Sequence, residues 1–155
     1  VDYAYHDGES ANNIALVKQS DPYLAWLGTY PSMTGANAAP DADFDGDGLA
    51  NAIEFVIGAN PTAATSSTTP GYPAAVVNGG NLVFTFRRTA ASQGYPVTVE
   101  AGTTLATWPD SFLVPTTNGT LGPVTVAGEN VTVTLPLTGN VRRYLRVRTD
   151  IPFNP

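Results

Sequence analysis

The sequence predicts a mostly β protein with a small α part, in which an antiparallel β-sandwich of about seven strands follows a short helical segment. Three observations support this fold class. The second half alternates apolar and polar residues in short runs, as half-buried strands do. Turn-forming residues separate these runs, among them many of the 15 glycines and 13 prolines of the 155 residues. Before them, an acidic run leads directly into a short amphipathic stretch.

The acidic run places aspartates at four alternate positions: Asp41, Asp43, Asp45 and Asp47. Counted from Asp43, the spacing follows the EF-hand loop, with oxygen ligands at positions 1, 3, 5, 7, 9 and 12 and glycine at position 6. Gly48 takes the glycine position. The predicted metal ligands are Asp43, Asp45, Asp47, the backbone carbonyl of Leu49, Asn51 and Glu54. The alternative is a solvated or disordered acidic tract, but crowded carboxylates repel one another without a cation, so the sequence predicts a Ca²⁺ site.

A short helix is predicted on each side of this loop. The first begins at Asp21-Pro22, because aspartate caps free amides and proline suits the first helical position, and it ends near Leu27. The second covers residues 50 to 57 and ends at Gly58. We expect Trp26 of the first helix to pack on the second; the alternative is an exposed platform for sugars. Residues 1 to 60 are thus predicted to form an N-terminal segment with a helix–calcium loop–helix.

The loop also resembles known calcium motifs. The pattern DxDxDGxxNxxE from Asp43 to Glu54 is similar to the EF-hand-like loops of dockerin modules and thrombospondin type 3 repeats. The longer run DFDGDGLANAIEFVIGANP resembles a segment of large secreted bacterial surface proteins, where it lies between a Trp-containing helix and a C-terminal β-domain. This resemblance implies an extracellular, calcium-binding bacterial module. Dockerins carry two such loops in tandem and this chain carries one, which argues against carrying over cohesin binding.

Residues 61 to 73 are small, polar and proline-rich, and they predict an extended, poorly packed linker between the two parts of the chain. Residues 74 to 155 are predicted to be the β-sandwich domain. Its strands are expected at 74–77, 81–89, 96–102, 112–114, 123–128, 130–137 and 141–149. Inward-facing positions follow from the alternation: Leu82, Phe84, Phe86, Val97, Val99, Ala101, Val131, Val133 and Leu135.

Composition and charge restrict the kinds of partner and location that we expect for this protein. The net charge is −6, so nucleic acid is not an expected partner. Residues 1 to 60 hold nine acids and one lysine, a charge of −8, and the remainder holds four acids and six arginines, a charge of +2. This asymmetry permits head-to-tail attraction between subunits. There is no cysteine, no transmembrane segment is predicted, and the start at Val1 is interpreted as a processed chain or an excised module.

Two stretches are candidate partner-binding surfaces. At the N-terminus, Val1, Tyr3 and Tyr5 alternate with Asp2, Ala4 and His6, which fits a strand that pairs with a neighbouring subunit, or else a frayed end or edge strand. In the last predicted strand the arginines Arg142, Arg146 and Arg148 share one face. They could bind an anionic glycan or an acidic subunit surface, or form a solvated face that protects a sheet edge. Trp108 is either a sugar-stacking residue or a plug of the sandwich.

No catalytic arrangement is recognisable in the sequence. The single histidine, His6, lies in the N-terminal stretch, and there is no Gly-x-Ser-x-Gly elbow, Walker loop or His/Cys zinc cluster. We therefore expect a non-enzymatic, secreted structural protein, a subunit or module of a bacterial surface assembly such as a filament or surface layer. The alternatives are a carbohydrate-binding module and an anchoring or sorting domain of a larger secreted enzyme.

Overall fold

The computed structural model describes residues 20–139 and 142–153. Within these ranges the chain forms two α-helices, α1 (Pro22–Leu27) and α2 (Asn51–Ile57), and two 3₁₀ turns at Gly35–Ala38 and Ala90–Gly94. The same ranges hold eight strands: β1 (Ala74–Asn78), β2 (Asn81–Arg87), β3 (Val97–Gly102), β4 (Asp110–Leu113), β5 (Gly119–Leu121), β6 (Val124–Ala127), β7 (Asn130–Pro136) and β8 (Tyr144–Thr149). The predicted N-terminal stretch, including Val1, Tyr3 and Tyr5, lies outside the described residues.

The strands form two antiparallel sheets, and the predicted fold class is confirmed. One sheet has five strands in the order β1-β2-β7-β6-β5, and the other has three in the order β4-β3-β8. The strands predicted at 123–128 and 130–137 correspond to β6 and β7, which form an antiparallel hairpin with Ala127 opposite Asn130. Strand β5 was not predicted, because its three residues, Gly-Thr-Leu, carry no alternating pattern. The predicted strand at 112–114 is shifted to Asp110–Leu113.

The core of the sandwich contains the side chains that the alternation predicted to face inward. Leu82, Phe84 and Phe86 on β2 face the interior with the predicted apolar positions of β3 and β7. Each of these side chains is at most 8 % exposed. Burial of large apolar side chains at about 1.5–3 kcal/mol each is the main stabilisation of such a fold. The alternation therefore predicted both the strands and the face that each one buries.

Helix α2 lies between this core and a second, smaller one. Val56 and Ile57 belong to the sandwich core. Phe55, one residue earlier, belongs to an aromatic cluster with Tyr23 of α1 and Tyr95. The Phe55 ring lies 5.5 Å from the Trp26 ring, so the predicted packing of Trp26 on the second helix is confirmed. The loop that precedes α2 is thus attached to a helix buried on both sides.

The division of the chain at residues 61–73 stays a prediction, and several contacts cross it. The carbonyl of Gly71 accepts a hydrogen bond from the backbone N–H of Arg87 at 3.1 Å. Gly71 has φ +86°, and a Cβ there would lie 2.5 Å from the Cβ of Arg87. The predicted linker therefore contacts β2 closely at its end. Its beginning contacts the acidic loop, as described below.

Arg88 is a buried cation that joins several loops. Its side chain is 3 % exposed. Its guanidinium donates to the carbonyls of Val114 at 2.8 Å, Pro115 at 3.0 Å and Tyr95 at 2.8 Å. Carbonyl oxygens, which carry partial negative charge, thus solvate the guanidinium in place of water. This contact fixes the segment after β4 against the segment before β3.

Among the described residues no helix has the length and apolar character needed to cross a membrane.

Candidate metal centre

The acidic loop is folded around its own aspartates. The carboxylate of Asp43 accepts hydrogen bonds from the backbone N–H groups of Gly46 at 2.8 Å and Gly48 at 2.9 Å. Asp45 accepts from the N–H of Asp47 at 3.1 Å, and Asp47 in turn accepts from the N–H of Leu49 at 2.7 Å. Short aspartate side chains stabilise tight turns in this way. Each aspartate is therefore held in place by the turn that follows it.

This folding brings three carboxylates together. One oxygen each from Asp43, Asp45 and Asp47 lie within 4.8 Å of one another. Gly48 follows with φ +93°, a conformation that side chains rarely adopt, which agrees with its place at the sharp turn of the loop. Asp41, the fourth aspartate of the run, is exposed and is not a member of this cluster. The structure thus brings together the first three predicted ligands.

Glu54 of α2 is completely buried and lies close enough to this cluster to interact with its charges, but it is not one of the carboxylates grouped within 4.8 Å. Burial, followed by the charges of Asp45, Asp47 and Asp43, raises the pKa of Glu54 from 4.5 to about 8. Burial and the charges of Asp47 and Asp43 also raise the pKa of Asp45. One oxygen of Glu54, Oε2, and one of Asp45, Oδ2, are buried without a hydrogen-bond partner in the described part of the chain.

Those two oxygens test whether a cation fits the site. A buried polar atom without a partner is destabilising, and a buried anionic one more so. A divalent cation bound among these carboxylates would offset their repulsion and supply the kind of partner that such oxygens lack. The residues present therefore fit a hard cation with oxygen ligands. A solvated acidic loop would not bury a glutamate at its end.

Asn51 occupies a different environment from the aspartates. Its side chain is fully buried, and its amide donates to the carbonyls of Asn37 at 2.9 Å and Ala39 at 2.8 Å. Its backbone N–H donates to the carbonyl of Ala42 at 2.7 Å. These bonds attach the first residue of α2 to the loop before the acidic run and to the start of the run itself. Its role as a metal ligand, like that of the half-buried Leu49, stays a prediction.

Thr65 is a residue of this site that sequence reasoning missed. Its backbone N–H donates to Oδ2 of Asp47, and its hydroxyl donates to Oε1 of Glu54 at 3.5 Å. The start of the predicted linker therefore lies over the loop and contacts two of the predicted ligands. Its sequence context, a run of Ala, Thr and Ser, is typical of linkers. No spacing rule connects position 65 with the loop, so the signal is absent from the sequence.

The arginines predicted to bind a partner are largely engaged within the chain. Arg146 pairs with Glu100 at 2.6 Å, and Arg148 lies 3.5 Å from the same carboxylate. The Arg146 guanidinium also lies 4.4 Å from the centre of the Trp108 ring. Arg142 is exposed. Because β8 is an edge strand, this arrangement agrees with a charged face that protects a sheet edge.

An open cleft of about 680 Å³ lies between the flanks of the acidic loop and the end of the chain. One wall is formed by Pro40, Asp41 and the start of α2, and the other by Arg148 and the segment up to Phe153. The lining is mainly apolar, with charged groups at Asp41, Arg148 and Asp150. The acidic loop and this cleft therefore share the start of α2.

The raised pKa of Glu54 predicts an unusual pH dependence for the metal-free chain. Because the pKa is near 8 in the folded state and near 4.5 when unfolded, folding is favoured by protonation. This stability is fully present below pH 4.5 and is lost as the pH rises through about 8. In EDTA, we expect the urea concentration at the unfolding midpoint to decrease as the pH is raised from 5 to 8.5.

The matched control is Glu54→Gln, which keeps the shape of the side chain and removes its titration. Its urea midpoint should change much less over the same pH range, so the difference between the two curves isolates the contribution of Glu54. A parent curve that is flat, or parallel to that of Glu54→Gln, would contradict the prediction.

Comparison of the chain with protein-family models, with curated proteins and with solved structures gave no match.

Proposed function

We propose that this chain is a calcium-binding, extracellular structural protein without enzymatic activity, a subunit or module of a bacterial surface assembly. The observation that carries the proposal is a cluster of three aspartate carboxylates whose charges act on a buried glutamate, with unpartnered oxygens on Asp45 and Glu54. Such a site is destabilising without a cation and stabilising with one. The metal is therefore proposed to act on the fold.

The ligand chemistry favours Ca²⁺ over other divalent ions. The predicted ligands are all oxygens, from carboxylates, a carbonyl and an amide, and the chain has no cysteine. Zinc prefers nitrogen and sulfur ligands in structural sites. Magnesium prefers a compact octahedral shell that keeps several waters, whereas calcium accepts six to eight protein oxygens in flexible geometry. A loop that supplies three aspartates and a glutamate suits the larger ion.

The location of α2 explains how an ion would stabilise the whole chain. Glu54 is followed directly by Phe55 of the aromatic cluster and Val56 of the sandwich core. A cation held by Glu54 and the aspartates would link the loop to both cores, and the hydrogen bonds of Thr65 to Asp47 and Glu54 would add to this link. In a chain without disulfides such a link could replace a covalent one. Extracellular calcium modules bind at about 10⁻⁴–10⁻³ M, so the site would fill outside the cell.

The two alternatives receive unequal support. For a carbohydrate-binding module, the candidate stacking residues are Trp26 and Trp108. Trp26 packs against Phe55 and Tyr30, and Arg146 covers a face of Trp108, so neither ring offers a fully open platform. An anchoring or sorting domain of a larger secreted protein is compatible with the same calcium site, since such a domain would also be a structural module stabilised by Ca²⁺.

Calorimetric titration of Ca²⁺ into the EDTA-treated chain tests the proposal. We expect one ion per chain with a Kd of about 10⁻⁴–10⁻³ M. Asp43→Asn should weaken binding at least tenfold, because it removes a ligand charge from the cluster. Asp41→Asn, a change of the same chemistry two residues away, should leave the Kd unchanged within about twofold.

If calorimetry detects no heat of Ca²⁺ binding up to about 20 mM, the proposal is contradicted, since extracellular modules bind well below that concentration. Equal losses in Asp43→Asn and Asp41→Asn would point instead to diffuse attraction by an acidic surface. A parallel glycan array, performed in calcium buffer, addresses the carbohydrate alternative: specific binding would favour it.

A further inference from the structure

The five-stranded sheet extends beyond the three-stranded sheet that packs on it, and this leaves β1 uncovered. All five residues of β1 are exposed. Register with β2 places Val77 opposite Leu82, on the inward face, and Val76 opposite Val83, on the outward face. Yet Val77 is 69 % exposed and Val76 is 59 % exposed. Both faces of this strand are therefore apolar and accessible in the described part of the chain.

The backbone of β1 also offers hydrogen-bonding groups. A two-residue connection joins β1 to β2, with Asn78 opposite Asn81 as the closing hydrogen-bonded pair. Because the antiparallel ladder alternates, Val76 bonds to β2, whereas Ala75 and Val77 direct their N–H and C=O groups away from it. β1 is an edge of its sheet. Unpaired groups of this kind form a template for another strand.

The other strand edges carry features that discourage pairing. β8 displays Arg146 and Arg148. β4 begins at Asp110, whose carboxylate pairs with Arg143 at 2.7 Å. β5 has three residues. β1 has neither charge nor proline within its five residues, Ala-Ala-Val-Val-Asn. Natural proteins protect edges by charge, shortness or coverage, and β1 has none of these among the described residues.

Charge indicates what the partner is. The chain carries −6 overall, yet residues 55 to 86 contain no charged side chain and no histidine. A basic partner would gain no attraction at β1. Two copies of this acidic chain would repel at most surfaces, but they can meet at this neutral stretch without placing like charges opposite each other. The neutral edge is therefore better suited to a second copy than to a charged partner.

We infer that β1 pairs antiparallel with β1 of a second copy, around a twofold axis at Val76, to give one continuous ten-stranded sheet. In this register Val76 lies opposite the same residue of the other copy, and Ala75 lies opposite Val77. The central pair is non-hydrogen-bonded, and its neighbours exchange N–H and C=O bonds. Apolar side chains meet on both faces. This interface deepens the proposed function by giving a module of an assembly its self-contact, but it does not depend on calcium ligands.

A single cysteine tests this register, because the parent chain has none. Val76→Cys places two thiols opposite each other at a Cα separation of about 4.5 Å, within the range that a disulfide spans. Under mild oxidation we expect most of this variant to run as a covalent dimer. Leu121→Cys, on the opposite edge strand and also exposed at 52 %, is the matched control and should stay largely monomeric.

Sedimentation of the calcium-loaded full chain supplies the second measurement. We expect the parent to dimerise with a Kd between about 1 µM and 1 mM, a range typical of weak to moderate association. The Val76→Lys variant should be monomeric, and Leu121→Lys should behave as the parent. A mixture of Val76→Lys with Val76→Glu should restore the dimer, because opposite charges then meet at the axis. A parent that stays monomeric at 1 mM, a dimer unaffected by Val76→Lys, or equal cross-linking of both cysteine variants would overturn the inference.

The same variants separate this inference from the calcium proposal. Val76→Lys should bind Ca²⁺ with the parent Kd in the calorimetric titration. If dimers form but no calcium binds, the structural calcium function fails and the β1 interface stands. If calcium binds but the parent is monomeric, the interface fails and the calcium function stands.

Discussion

Saturating Ca²⁺ is expected to raise the unfolding temperature of the chain by about 5–10 °C relative to the EDTA-treated protein. An ion that binds only the folded state adds about 2.7 kcal/mol at a hundredfold excess over its Kd. For a domain of this size, about 2–4 °C follow from each kcal/mol. The physical reason is the removal of repulsion among the carboxylates of Asp43, Asp45 and Asp47, together with satisfaction of the buried Glu54. Differential scanning calorimetry measures the shift directly.

Glu54→Gln should lose most of this shift, down to about 2 °C or less. The amide keeps the size of the side chain and removes the charge and one of the two anionic oxygens that the predicted bidentate ligand supplies. Asp41→Asn is the matched control: it removes a charge from the same run, but Asp41 is exposed and outside the cluster. It should keep the full calcium shift. If Glu54→Gln shows the parent shift, Glu54 is not a ligand and the proposed link between the loop and the two cores fails.

Arg88→Met is expected to destabilise the chain by about 3 kcal/mol. The variant fills a similar volume, but it leaves the carbonyls of Val114, Pro115 and Tyr95 without their donor. Buried acceptors without partners cost about 1–3 kcal/mol each, and part of this is offset because the buried charge is also removed. The free energy of unfolding from urea titration, in calcium buffer, measures the difference.

Arg142→Met is the control for Arg88→Met, because it makes the same change at an exposed arginine. Surface changes of this kind usually stay within about 0.5 kcal/mol. Arg88→Lys should fall between the two, since an ammonium keeps the charge but lacks the planar fork that reaches carbonyls on both segments at once. An Arg88→Met variant as stable as the parent would show that the guanidinium contacts contribute little beyond the desolvation of the arginine.

The features predicted correctly from the sequence are local ones. Asp43, Asp45 and Asp47 converge because each is held by a turn within the next few residues. Their spacing in the sequence was therefore enough to predict that the three carboxylates lie close together. Strand faces followed from period-two alternation for the same reason. Helix α1 followed from Asp21, whose carboxylate accepts from the N–H of Tyr23 at 2.8 Å. These interactions connect residues close together in the chain, where residue type and spacing determine geometry.

What sequence reasoning missed depends on contacts between distant segments. Thr65 reaches Asp47 and Glu54 only because the segment that contains it folds back over the loop. Arg146 was predicted as a partner-binding residue because its intramolecular partner, Glu100, lies on another strand and is identified only once β3 pairs with β8. In both cases the residue type was informative, but its partner was set by tertiary structure.

The pairing of β3 with β8 also has a consequence for how the chain folds. Val97 lies opposite Thr149, and the ring of Tyr23 in α1 lies 6.2 Å from that of Phe153. Contacts between segments so far apart raise the contact order, and topologies of this kind fold in milliseconds to seconds rather than microseconds. The acidic loop can form as soon as residues 41–54 have been synthesised, but neither core can close before β8 and the segment up to Phe153 are present. The two cores are therefore expected to form late and together, rather than one after the other as synthesis proceeds.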